Sequence, residues 1–337
     1  MKKIILVLIV SLLVLAGCSK TPVDSDSKKL VVYSPNSEGL IQATIPAFEE
    51  KTGIEVEIIQ AGTGELFKRL QTEASNPVAD VIFGGAYSTY TQNEDLFEKY
   101  TSANDKLVIE AYRNTTGYIT PYVLDGSVLL YNKQLIGDIK IEGYADLLNP
   151  ALKGKIATAD PSASSSAFAQ LTNMLLAMGG YESEDAWKYV EDLFTIIDGK
   201  IASGSSNVYK SVADGEMIVG LTYEDPSVSL LKDGANVEIV YPKEGTVYLP
   251  AGSAVIKNAK NLENAKKFID FITSKEIQDV YGTTTTNRPV LIDVATGDTM
   301  KPISEIKTLI EDIQYVSEHK VEMVNRYKDI FAKIQSK

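Results

Sequence analysis

The sequence predicts an α/β protein built as two lobes, and three observations carry that prediction. Short apolar runs alternate with helical patterns along most of the chain, as in βαβ units around largely parallel sheets. The first three runs, residues 30–33, 54–59 and 80–83, end in small polar or glycine-rich loops, and α/β folds hold ligands at the carboxyl ends of parallel strands. Beyond residue 29 the chain is too long for one small core and suits two.

In chain order, Lys2 and Lys3 precede an apolar run, residues 4–15, of signal-peptide length and too short to span a bilayer comfortably. Leu15-Ala16-Gly17-Cys18 follows and looks like a lipobox, with cleavage before the chain's one cysteine. A lone cysteine cannot close an internal disulfide, and acyl chains on Cys18 would tether the protein to a membrane surface. Residues 1–17 are therefore read as a signal peptide. Residues 18–29, rich in Ser, Asp, Lys and Pro, are read as a flexible tether.

The first strand, 30–33, ends in Ser34-Pro35-Asn36-Ser37. A helix with Leu40, Ile41, Ile45 and Phe48 follows and stops at Gly53; Pro46 predicts a kink or an early break in it. Strand 54–59 ends in Ala61-Gly62-Thr63-Gly64 before a helix carrying Leu66, Phe67 and Leu70, and strand 80–83 ends in Gly84-Gly85-Ala86. Residues 118–131 hold two apolar runs around Asp125-Gly126-Ser127 and read as the first crossing into lobe two. There, strand 154–159 leads into Asp160-Pro161-Ser162-Ala163-Ser164-Ser165-Ser166-Ala167 and then helices 165–178 and 184–197. A second polar loop, 202–207, precedes a short helix, 208–214. Strand 217–222 ends in Tyr223-Glu224-Asp225-Pro226, and strand 237–241 follows. Residues 247–256 read as the return crossing, 261–274 as an amphipathic helix, and 303–334 as a helical tail packed on the outside. The expected division is lobe one at 30–124, lobe two at 125–246, and lobe one again at 247–337 with the C-terminal helices.

A net charge of -12 and the lack of a basic stripe argue against nucleic acid. The same global field gives an anionic ligand nothing, so an anion site must work through local donors. The sequence has no Gly-x-Ser-x-Gly elbow, no metal-spaced histidines and, with Cys18 acylated, no free thiol, so an enzyme is not expected.

The lipobox, the run KLVVYSPNSEGLIQATIPAFEEKTGIEVEI from Lys29, DVIFGG from Asp80 and NLENAKKFIDFITS from Asn261 together resemble type II extracellular solute-binding proteins of ABC importers. The nearest branch groups binders of ferric iron, 2-aminoethylphosphonate and hexose phosphates. The resemblance spans essentially the whole mature chain. It implies two α/β lobes joined by two crossing strands, a ligand cleft between them and closure by hinge motion. It also implies a monomer that delivers its solute to a permease and its ATPase.

Serines in the 160–167 loop stand at a helix start, where free amides and the positive end of the helix dipole converge. They read either as an N-cap with a polar turn or as an anion seat. Ser34, Asn36, Ser37, Gly62, Thr63, Gly85, Ser164, Ser165, Ser166, Ser205 and Ser206 all fall on loops expected to line the cleft, and neutral donors of this kind suit a phosphate or phosphonate. Tyr223, Glu224 and Asp225 would then accept from hydroxyls or an ammonium group on the solute's other end. Arg288 reads equally as an anion clamp or as half of a structural ion pair. Ferric iron is the alternative cargo. Iron-binding relatives use adjacent tyrosines, whereas this chain has one phenol at 223 and its single histidine, His319, in the tail. No resident cofactor or metal is expected.

Overall fold

The computed structural model describes residues 28–336 apart from Lys200 and Ser203. The signal segment, Cys18 and most of the tether lie outside the described residues.

Lobe one begins with β1 (Lys29–Ser34), α1 (Glu38–Thr52), β2 (Glu55–Gln60), α2 (Thr63–Glu73), β3 (Val81–Ala86) and the single turn α3 (Tyr87–Thr91). β1 pairs in parallel with both β2 and β3, so the three strands end side by side. α1 stops at Gly53, which takes the left-handed conformation (φ 66°) that glycine adopts without steric cost. The helix continues past Pro46, so the early break that this proline suggests does not occur. Its buried face, Leu40, Ile41, Thr44, Ile45 and Phe48, packs on the lobe-one core, and that burial offsets the hydrogen bond proline removes.

The chain then crosses on β4 (Thr120–Asn132). The two apolar runs expected there form one continuous strand. Its first half pairs antiparallel with β9 (Thr246–Val255), from Thr120 opposite Ser253 to Gly126 opposite Tyr248. Its second half pairs antiparallel with β7 (Val219–Tyr223), from Ser127 opposite Tyr223 to Tyr131 opposite Val219. The hand-over falls at Gly126, where a Cβ would lie 2.4 Å from the Tyr248 ring, so only glycine lets β9 approach.

Lobe two contains β5 (Ile156–Ala159), α4 (Ser165–Ala177), α5 (Glu184–Ile197), β6 (Ile201–Ala202), α6 (Ser205–Ala213), β7, α7 (Glu224–Lys232) and β8 (Val237–Val240). β5 pairs in parallel with β6 and β7, while β8 joins β4 antiparallel. β9 returns the chain to lobe one, which α8 (Leu262–Ile272), α9 (Lys275–Thr284) and β10 (Arg288–Pro289) complete. β11 (Thr308–Leu309) pairs with β9, and α10 (Ile313–Gln335) ends the chain. The main sheet path is β2-β1-β3-β9-β4-β7-β5-β6: a parallel trio at each end and two antiparallel crossing strands between them.

Each lobe has its own core. Phe48, Phe83 and Phe268 interlock edge-on in lobe one. Leu171, Leu175, Val190, Leu193 and Phe194 fill lobe two. The tail was expected with lobe one, and the structure corrects this. Val316, Met323 and Tyr327, at helical spacing, bury against α5, with the Tyr327 ring 5.1 Å from Phe194. Arg326 and Lys333 pair with Glu184 and Glu191 of the same helix.

Candidate functional site between the lobes

On lobe one, the ends of β1, β2 and β3 bring three loops together. Ser37 stands at the N-cap of α1, where its side chain accepts no hydrogen bond from the helix amides, and Gly62, with no side chain, stands at that of α2. Gly84 (φ 129°) lies so close to the first loop that a Cβ would meet Pro35 Cδ at 2.7 Å and Asn36 Oδ1 at 2.9 Å. Gly85 (φ 104°) seats against Thr63, whose Cγ2 would be 3.0 Å from an added Cβ. These contacts set the spacing of Ser37, Thr63 and Gly85.

Two expected ligand residues are scaffold instead. Ser34 is fully buried; its Oγ donates to the Phe83 carbonyl at 2.8 Å and accepts from the Asn36 N–H at 3.2 Å. Asn36 Nδ2 donates to the same carbonyl at 2.9 Å, while Oδ1 accepts the Tyr122 hydroxyl at 2.7 Å. With these atoms engaged inside lobe one, Ser37 and Thr63 are the side-chain donors left of those the sequence put forward there.

On lobe two, Ser164 is the N-cap of α4. Its Oγ accepts the Ala167 N–H at 3.3 Å and lies 3.2 Å from Ser166 Oγ. Asp160 turns the loop by accepting the Ser162 N–H at 2.7 Å. The cap reading of the serine loop holds for Ser164, and Ser165 is exposed next to it. Ala157, Ala159, Ala167 and Val208 pack together, which sets the starts of α4 and α6 side by side. At α6, Ser205 hydrogen-bonds the Tyr223 phenol and Ser206 is exposed. Ala86 of lobe one and Ser165 of lobe two line the same cavity, whose lining does not include Ser37, Thr63, Gly85, Ser166, Ser206 or Asp225.

The acids separate into two roles. Glu224, expected to face the solute, is sealed in an ion pair with Arg288 and accepts the Tyr241 hydroxyl at 2.6 Å. It is structural because burying a carboxylate demands a partner, and Arg288 is that partner rather than an anion clamp. Asp225 is only part-buried and accepts from Thr286 Oγ1 and, at 3.4 Å, from Asn287 Nδ2. Desolvation raises its carboxyl above the ordinary range against the Thr286 hydrogen bond, with Glu224 adding to the rise.

Asp125 is the residue that sequence reasoning did not single out. It is the one exposed position in β4, between buried neighbours on both sides. Desolvation, then the charges of Asp225 and Glu224, hold its carboxyl well above the ordinary carboxylate range, although the Asp225 N–H donates to it. No ion pair involves Asp125 or Asp225 among the described residues. The signal was present: a lone acid in the middle of an otherwise apolar crossing strand.

Two α/β lobes are joined by a pair of crossing strands, and a cavity takes its lining from both lobes. The chain belongs to the bacterial extracellular solute-binding protein family, whose profile matches residues 43–308. A prokaryotic membrane lipoprotein lipid attachment site matches residues 1–19, and the protein is an extracytoplasmic lipoprotein anchored to a membrane. It is 26% identical to the Fe(3+)-binding periplasmic protein of Serratia marcescens, over 88% of this chain and 89% of that one. It is also 26% identical to a putative 2-aminoethylphosphonate-binding periplasmic protein of Salmonella typhimurium, over 76% of each. The periplasmic binding protein AfuA of Actinobacillus pleuropneumoniae, solved with fructose-6-phosphate, superposes with a TM-score of 0.74 at 25% identity, over 91% of this chain and 99% of that one.

Proposed function

We propose that this lipoprotein captures a small solute with an anionic head and a hydrogen-bond-donating tail, a phosphorylated sugar or an aminoalkylphosphonate, and releases it to an ABC permease. The observation that carries the reading is a division of labour across the crevice. Neutral donors, Ser37, Thr63, Ser165, Ser166 and Ser206, stand on the two lobes near the starts of α1, α2, α4 and α6. Acceptors without a cationic partner, Asp125 and Asp225, stand by the crossing strands. Amides and hydroxyls at helix starts suit a phosphate or phosphonate, and the carboxylates suit hydroxyls or an ammonium group. Binding is a population shift: the solute touches both lobes only when they close, so it favours the closed form. The lobes divide near residues 125 and 246, with α10 carried on lobe two, and the protein acts as a monomer without catalysis.

Ferric iron is the second reading, favoured by Tyr223 beside Asp125 and Asp225, an all-oxygen set suited to a hard cation. Thermal-shift and calorimetric titration with glucose 6-phosphate, 2-aminoethylphosphonate and ferric citrate separates the two. A phosphate or phosphonate ester at 100 times its Kd adds about 2.7 kcal/mol. Stabilisation by ferric iron alone, with a salmon-pink protein, overturns the first reading.

A further inference from the structure

The anchored segment joins the fold at Lys28, and that sets which end of the protein is held to the membrane. Lys28 leads directly into β1, and its carbonyl accepts the Glu55 N–H at the start of β2 at 2.8 Å. β1, β2 and β3 run parallel, so this end of lobe one is opposite the end that carries Ser37, Thr63 and Gly85. Cys18 is the one cysteine of the chain and falls within the lipid attachment site. Even a fully extended chain from Cys18 to Lys28 reaches only about 36 Å. The start of β1 therefore stays within that distance of the acyl chains.

Three hydrogen bonds gather a lysine-bearing surface around this end. Asp80 accepts the Val31 N–H and the Asn261 side-chain amide, each at 2.9 Å, and Asn264 of α8 donates to the Lys29 carbonyl at 3.0 Å. The turn before α8 and the first turns of α8 are thereby held beside the start of β1. Exposed Lys28 and Lys29 come from one side, and exposed Lys257, Lys260 and Lys267 from the other. Lys99 adds a sixth, placed by the Glu98 N–H on the Val255 carbonyl. None of the six has an acidic partner among the described residues, whereas Lys51 and Lys266 close by pair with Glu276 and Glu263. Glu50, Glu55, Asp95 and Glu98 are the other acids at this end. Lysines thus outnumber acids at the tethered end of a chain whose net charge is -12.

An anionic bilayer repels so acidic a protein, except where unpaired ammonium groups face it. The attraction acts within a Debye length, about 8 Å at physiological salt, and the tether keeps this end of lobe one in reach of that layer. The acyl chains already retain the protein, so what the lysines set is its orientation. We propose that this end of lobe one is a docking surface for the anionic lipid headgroups of the membrane that holds the anchor. Docked in this way, the protein turns the carboxyl ends of β1, β2 and β3 away from the bilayer. The proposal rests on the anchor and not on the identity of the solute.

The test uses the acylated protein in vesicles. Acylation consumes Cys18, so a cysteine introduced by Thr52→Cys or by Gln42→Cys is the only thiol open to a dye. Both positions are exposed on α1, Thr52 at the lysine-bearing end and Gln42 toward the other. Energy transfer from the dye to a headgroup-labelled lipid reads its height above the bilayer. In phosphatidylcholine mixed with phosphatidylglycerol, the transfer rate should be at least twice as high from 52 as from 42. That ratio should fall toward one in phosphatidylcholine alone, and at about 1 M salt, where the screening length is only about 3 Å. It should fall likewise when Lys28→Glu, Lys29→Glu, Lys260→Glu and Lys267→Glu are combined. The lipid and salt comparisons use the native lysines, so they stand even if the four reversals disturb folding. A ratio that neither lipid charge nor salt alters is the work of the tether alone and overturns the docking surface. Equal transfer from both positions overturns it too, as does a response to lipid charge that survives the four reversals.

Discussion

Arg288 and Glu224 meet in a two-pronged ion pair sealed between the lobes. Arg288 Nε donates to Oε2 at 2.7 Å and Nη2 to Oε1 at 2.6 Å, and each side chain is 2% exposed. Nη2 also donates to the Lys301 carbonyl at 2.7 Å, and the guanidinium lies 5.1 Å from the Tyr248 ring centre. β10 brings Arg288 alongside Leu124 of the crossing strand, and α7 brings Glu224 directly after β7. The pair thus bolts lobe two to the hinge.

Arg288→Ala strands the Glu224 carboxylate in a dry site. The expected loss is about 3–5 kcal/mol, far above a surface pair's ~0–1 kcal/mol. Urea unfolding followed by tryptophan fluorescence reads it as a lower midpoint. A double replacement, Arg288→Met with Glu224→Leu, should recover much of the loss, because no charge is left unpaired. A midpoint within error of wild type for Arg288→Ala would show that water reaches the pair.

Asp125 should trade stability for binding. Its folded carboxyl titrates well above 3.8, so between that value and the raised one the folded state holds more protons than the unfolded state. The favourable contribution is full below the unfolded value and is lost as pH rises through the folded one. Asp225 has the same sign. Asp125→Asn should therefore melt higher than wild type at pH 7.5 without ligand, with the advantage shrinking toward pH 4. The same variant should bind the solute at least tenfold more weakly. A variant that melts lower at pH 7.5 would place Asp125 among the structural acids with Glu224.

The serine loop separates capping from binding. Ser164→Ala removes a cap and should cost about 1 kcal/mol with little change in affinity. Ser165→Ala with Ser166→Ala should leave the melting temperature within about 2 °C, since Ser165 is exposed, and weaken anion binding. Circular dichroism melts and calorimetry on both variants test the division. Affinity lost on Ser164→Ala alone would reverse it.

The fold was legible because its signals are local. Apolar runs, Gly53 as a helix stop and the glycines after β3 are each read within a few residues. The first crossing was read from two apolar runs around Asp125-Gly126-Ser127, which the structure joins into the single strand β4. The roles of individual polar residues were not legible, since partners distant in sequence decide them. Ser34 is committed by the Phe83 carbonyl, Asn36 by Tyr122 and Glu224 by Arg288. The tail was misplaced for the same reason: its apolar stripe shows that it packs, and only α5 shows where.

Two glycines near the lobe-one loops look alike in sequence and should respond oppositely to alanine. Gly84 holds φ 129° with Pro35 Cδ 2.7 Å from an added Cβ, and its carbonyl accepts the buried Tyr90 hydroxyl at 2.7 Å. Gly84→Ala should cost about 1–3 kcal/mol in backbone strain. It should also weaken solute binding, because Pro35 and Asn36 must move and they carry Ser37 and the start of α1. Gly39 lies in the first turn of α1 with nothing within 4 Å of an added Cβ. Gly39→Ala should stabilise by up to ~1 kcal/mol, since alanine loses less backbone freedom than glycine in a helix. If both variants weaken binding equally, the start of α1 senses any side chain there, and the spacing set by Gly84 is not what positions Ser37.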